Sequence, residues 1–144
     1  MKYSTKLSDA VHILAFIALH PNDNLTSDKI AESIRTNPVC VRQLMSALRK
    51  YGLLASVTGH PRPALTREPS VITLLDVYHA VEGGNPLLHL DTHTNPECGV
   101  GVNIQLALQD FYQDIQQAAE NRMREITLQD ILDRYYIKLE GMHQ

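Results

Sequence analysis

The chain has 144 residues, 44% apolar and 20% charged, with a formal charge of −3. That length suits one ordinary domain, or a small domain with a helical appendage, and the apolar share excludes wholesale disorder. Two cysteines are too few for a disulfide framework, and the seven-residue apolar run Ile13 to Leu19 is too short to span a bilayer. No secretory n-region or cleavage site precedes an apolar stretch, so the expectation is a cytoplasmic protein with reduced thiols and no membrane association. There is no phosphate-binding glycine loop, nucleophile elbow or H-E-x-x-H helix, so the chain does not read as an enzyme. The small net charge hides an asymmetry. Residues 1–70 hold nine Lys/Arg against five acids, a net +4, and residues 71–144 hold four against eleven, a net −7.

In chain order, Leu7, Val11, Leu14 and Ile17 or Ala18 recur at three- and four-residue steps, predicting a helix that starts after Ser4 or Thr5. His20-Pro21-Asn22-Asp23-Asn24 stops it. Thr26 caps a short second helix with Asp28 in its first turn and Ile30, Ala31 and Ile34 inward, failing at Arg35-Thr36-Asn37. Asn37 as N-cap and Pro38 at the first helical position open a third helix, buried along Val41, Leu44 and Leu48 and stopped by Gly52. Leu53 to Val57, the loop from Thr58 to Pro63, and Ala64-Leu65-Thr66 predict a hairpin. Three helices and a hairpin make a winged helix-turn-helix.

Thr73-Leu74-Leu75-Asp76 reads as a capping-box start for a fourth helix, closed by Gly83-Gly84. Residues 85–101 read as a loop, long enough to suggest a function. From about Asn103 to Arg124 a long helix carries Ile104, Leu108, Phe111, Ile115 and Ala118 at steps of 4, 3, 4 and 3. That spacing is a coiled-coil seam and predicts a partner helix. Thr127 opens a last helix with Leu128, Ile131 and Leu132 as its apolar side. The division expected is a DNA-binding domain over residues 1–82 and a loop plus helical dimerisation and sensor region over 83–144.

The third helix carries the strongest functional signal. Arg42, Gln43, Ser46 and Arg49 project opposite its buried stripe and can read base edges, Arg toward guanine and Gln toward adenine. Lys50, Arg62 and Arg67 are candidates for phosphate contacts. A charged helix face is most often simply solvated; the hairpin, the short preceding helix and the +4 half tilt the reading to double-stranded DNA. Cys98 lies before the long helix, where backbone N–H groups favour a thiolate and neighbouring Glu97 opposes it. It is read either as a redox sensor or as a packing cysteine. Cys40 reads as a small packing residue. His89, His93 and Cys98, with His79 nearby, are possible metal donors, but scattered loop histidines are usually solvated, so no metal site is assigned.

Three stretches together resemble a known family: T-S-D-K-I-A-E over residues 26–32, Pro38 to Gly52 with Leu-Arg-Lys before Tyr-Gly-Leu, and I-T-L-L-D-V followed by A-V-E-G over residues 72–83. They resemble the Rrf2 winged-helix transcriptional regulators of bacteria. The resemblance implies homodimeric DNA-binding repressors joined through the long helix, some of which sense iron–sulfur status, nitric oxide, thiol stress or cysteine metabolism. Many members hold a cluster with three cysteines in the loop before that helix. Only Cys98 stands here, so the chain resembles a single-cysteine branch and no iron–sulfur cofactor is expected. The family's usual glycine-rich wing is replaced by Thr58-Gly59-His60-Pro61-Arg62-Pro63-Ala64, leaving Arg62 as the charged residue at its tip.

The resulting expectation is a mainly α protein, a winged helix-turn-helix with a long C-terminal dimerisation helix, acting as a homodimeric repressor on a DNA operator. Cys98 is its candidate switch, and Ile104, Leu108, Phe111 and Ile115 its dimer seam. Two alternatives stay open: a small-molecule-gated regulator of the same fold, and a winged-helix protein–protein adaptor without DNA binding.

Overall fold

A computed structural model describes residues 3–21, 23, 25–56 and 63–142. Helix α1 (Lys6–Leu19) starts after Thr5, and its buried side is Ala10, Ile13, Leu14 and Ile17. Leu7, Val11 and Ala18 flank that side and are partly buried. Helix α2 (Ser27–Ile34) begins where Thr26 Oγ1 accepts from the Lys29 N–H at 3.2 Å. It ends because Arg35 turns left-handed, φ 61°.

Helix α3 (Pro38–Tyr51) starts with Asn37 Oδ1 accepting from the Val39 N–H at 2.7 Å and stops at Gly52, φ 89°. Met45 joins Val41, Leu44 and Leu48 on its buried face. Strands β1 (Leu54–Ser56) and β2 (Pro63–Leu65) pair antiparallel, Leu54 opposite Leu65. A 3-10 turn at Pro69–Val71, absent from the sequence expectation, leads into α4 (Leu74–Glu82). Its capping box is complete: Thr73 and Asp76 each accept the other's backbone N–H through their side chains, both at 3.0 Å.

Helix α5 runs Gly99–Glu125, beginning four residues before the expected Asn103. Gly99 and Gly101 are poor helix formers and mask the start. The turn at Asn95 provides it: Asn95 Oδ1 accepts from Glu97 N–H and its carbonyl from Cys98 N–H, each at 3.0 Å, delivering Cys98 as N-cap. Helix α6 (Leu128–Gly141) opens with a second complete capping box, Thr127 with Asp130.

Leu14, Ile30, Leu48, Leu53 and Ile72 are fully buried at the centre of one core drawn from α1 to α4 and the hairpin. Leu128 and Leu132 of α6 complete it. The chain returns there by an isolated antiparallel bridge between Thr73 and Thr127, with Leu74 N–H to Ile126 O and Leu128 N–H to Ile72 O at 2.8 Å. The two capping threonines thus face each other, and the starts of α4 and α6 are tied. Helix α5 contributes no buried residue.

Candidate nucleic-acid interface

With Val41, Leu44, Met45 and Leu48 inward, the 100° step per residue leaves Arg42, Ser46 and Arg49 in a line and Gln43 and Lys50 beside it. All five are exposed. No acidic residue lies in the first turn of α3, and Arg49 and Lys50 in its last turn complement the helix dipole. The Arg42 guanidinium donates to Ser27 Oγ at 3.5 Å, a long contact that leans it toward the start of α2. Sequence reasoning missed Ser27, because the two residues meet only when α2 and α3 cross. The hairpin is fastened to the end of α3 by Thr66, whose hydroxyl donates to Gly52 O at 2.5 Å and whose N–H donates to Leu53 O at 3.2 Å.

Arg67 is held elsewhere, 3.8 Å from Asp76 at the head of α4, with its side chain 40% exposed. Arg62, the wing-tip candidate, lies outside the described residues. Cys40 and Cys98 are free and exposed. Cys98 sits at the N-cap of α5 without a side-chain capping bond. Gly101 packs beside it: a Cβ there would make ordinary contacts with Thr94 Cβ at 3.6 Å and Cys98 Sγ at 3.9 Å.

Helix α5 is seated on α4 by polar contacts. Gln116 donates to Tyr78 Oη at 3.0 Å and to Glu120 at 3.1 Å, while His79 Nε2 lies 3.0 Å from Glu120. The hydrogen bond from His79, then that from Gln116, holds the Glu120 carboxyl below its ordinary pKa of 4.5. Turned away from α4, Ile104, Phe111 and Ile115 form an exposed row, Phe111 at 64%, with half-buried Leu108 along its edge. Val100, 73% exposed, prolongs the row by a turn.

The family model Rrf2, described as an iron-dependent transcriptional regulator, matches residues 3–134. This chain belongs to the Rrf2 family. It is 36% identical over 133 residues to YwnA of Bacillus subtilis strain 168, an HTH-type transcriptional regulator by name, covering 92% of this chain and 98% of YwnA. It is similar to the crystal structure of a protein described as DNA-binding, with a TM-score of 0.70 and 36% identity over 88% of this chain and 98% of that one. It is also similar to IscR of T. potens, with a TM-score of 0.68 and 26% identity over 94% and 88% of the two chains. The Rrf2 relatives are transcriptional regulators, not enzymes. No described helix is long and apolar enough to cross a membrane.

The iron in the Rrf2 description does not fit the donors of this chain. An iron–sulfur cluster needs about four thiolate or imidazole ligands, and the loop before α5 brings one cysteine. The histidines read as possible donors are dispersed: His79 is bonded to Glu120, and His93, 94% exposed, lies 3.6 Å from Asp91. Among the described residues no three His, Cys, Asp or Glu side chains gather in a way that could hold a metal ion.

Proposed function

We propose that this Rrf2 protein is a homodimeric repressor that reads an operator in duplex DNA through α3. The observation that carries the reading is the exposed Arg42, Gln43, Ser46 and Arg49 face on a helix braced by α2 and the hairpin, within a family of transcriptional regulators. Such a face docks in a major groove, where paired donors and acceptors distinguish the bases. Lys50, with Arg62 from the wing, serves the phosphates. Arg67 takes a smaller share, because Asp76 already engages it.

Dimerisation follows from the exposed row on α5. Ile104, Leu108, Phe111 and Ile115 repeat at coiled-coil spacing, the first, third and fourth exposed and Leu108 half-buried, and a second copy of the same helix would cover the row. A two-fold dimer sets two α3 helices about 34–36 Å apart, one turn of DNA, and matches a palindromic operator. Repression then needs only occupancy of a promoter. Cys98 is the proposed point of redox control: it is the N-cap residue of α5 with an exposed thiol, so oxidation or mixed-disulfide formation acts at the root of the dimer helix.

The test is to sequence genomic DNA retained by the purified protein and to measure affinity for the recovered motif across salt concentrations. A palindromic motif bound by dimers, with a steep salt dependence, supports the reading. Retention without salt dependence or sequence preference would falsify it and favour the adaptor.

A further inference from the structure

The segment between Gly83 and Cys98 is strapped along the back of α5, away from the Phe111 row. Three bonds hold it: Tyr78 Oη donates to Asn85 O at 2.7 Å, Leu87 N–H to Gln116 Oε1 at 2.9 Å, and Asp91 N–H to Gln105 Oε1 at 3.1 Å. Between the last two the loop bows off the helix and leaves a cleft of about 440 Å³. Pro86, Leu88 and Leu90 line its loop side together with the polar His89 and Thr92, and Gln109, Tyr112 and Gln113 line its helix side beside Gln116. Leu88 is 40% exposed there, an apolar side chain partly open to solvent. Among the described residues, the side chains of Gln109, Tyr112 and Gln113 have no hydrogen-bond partner, although Gln105 and Gln116 on the same helix are both engaged. Among the described residues His89 is the single Lys, Arg, His, Asp or Glu that lines the cleft, and the volume is that of a small-ligand site.

We infer that this cleft binds a flat organic molecule with adjoining hydrogen-bond donor and acceptor groups, lying on Leu88 and Leu90 and bonded by Gln109, Tyr112 and Gln113. The chemistry of the walls selects it. A primary amide offers a donor and an acceptor side by side, so two of them on successive helical turns match a lactam or similar heterocycle. A carboxylate offers acceptors only, so it leaves the amide oxygens of Gln109 and Gln113 without a donor. Pro86, Leu88 and Leu90 on the loop wall favour a ring over a sugar or polyol.

Gln116 connects the cleft to the winged domain. Its amide oxygen holds the Leu87 N–H at the cleft's edge, and its nitrogen donates to Tyr78 of α4 and to Glu120, the partner of His79. A molecule that moves the loop disturbs Gln116, and so the seat of α5 on α4. This consequence for DNA rests on the function proposed above; the binding itself does not.

The test uses the full-length protein labelled with carbon-13 at leucine methyls, titrated with 2-quinolinone, a flat bicyclic lactam, and in parallel with quinoline-2-carboxylate, an anion of similar size. The expected result is saturable shifts at Leu88 and Leu90 with the lactam, and binding weaker by tenfold or more for the carboxylate. Gln109→Leu, on the exposed helix surface, should weaken lactam binding about two- to tenfold, the loss of one hydrogen bond. Leu88→Trp, which fills the cleft, should abolish it. No shift at either leucine, or unchanged binding in Leu88→Trp, overturns the site. Binding that leaves operator affinity unchanged overturns the coupling through Gln116. A protein that binds the lactam but no operator counts instead against the DNA-binding reading.

Discussion

The proposed function gives Arg42 and Lys50, two turns apart on α3, different work. On the proposed reading Arg42, which leans on Ser27, meets a base edge, so Arg42→Ala should cost about 1–3 kcal/mol per half-site and relax sequence preference at one position. Lys50→Ala should weaken all sequences alike and lower the salt slope by about one unit. Fluorescence anisotropy across a salt series and a set of operator variants separates the two, and identical sequence-independent losses would refute base reading by Arg42. For Cys98, mild peroxide should weaken operator binding by the wild type and by Cys40→Ser, but not by Cys98→Ser. If Cys98→Ser loses affinity as the wild type does, the thiol is a packing residue. Glu120 gives a pH prediction. Its folded-state pKa is depressed, so its contribution to stability is fully present above the ordinary value of 4.5 and is lost as pH falls through the lower folded value. Glu120→Gln should therefore be less stable than wild type in urea melts at pH 7, with the gap closing under acid. A gap that holds constant down to pH 3 would show that the carboxylate's charge contributes nothing.

The α4 and α6 helices each begin with a threonine capping box, and the two boxes are joined by the Thr73–Thr127 bridge. This makes the start of α6 a structural joint. The Thr127 side chain accepts from the Asp130 N–H at 3.0 Å, so Thr127→Ala should cost about 1 kcal/mol, the usual worth of an N-cap. Leu132 is 6% exposed and belongs to the shared core, so Leu132→Ala should cost about 2–5 kcal/mol. Chemical denaturation of both variants checks this. Small effects from both would mean that α6 lies on the core without holding it. By contrast, α5 has no fully buried residue, so substitutions along its exposed row should leave the winged core intact.

That contrast governs assembly. A helix of 27 residues, about 40 Å long, rests on its own chain by a polar seat and presents an apolar row outward. The expected state is a dimer at micromolar concentration. Phe111→Glu, at a residue 64% exposed, should yield folded monomers with much weaker operator binding, since both half-sites must be engaged together. Sedimentation velocity decides it: a monomeric wild type, or an unchanged dimer in Phe111→Glu, rejects the seam.

Most element boundaries were legible because their signals are local. Thr26, Asn37-Pro38, Gly52, Thr73 and Thr127 act through bonds to residues two to five positions away, or through their own backbone angles, and such effects can be read along the chain. The exposed face of α3 was legible too, because a period of 3.6 fixes which side chains oppose Val41, Leu44 and Leu48. The start of α5 was not, since a turn at Asn95 and two glycines conceal it from periodicity. Nor was Arg67's engagement by Asp76, the contact of Ser27 with Arg42, or the return of Leu128 and Leu132 to the core. The cleft behind α5 belongs with these, since it exists only where Gln105 and Gln116 pin the loop at two points and leave the interval open. Caps and helix faces are decided within a turn or two of chain, whereas contacts between distant residues depend on how whole elements cross, and that is settled only by burying them against one another.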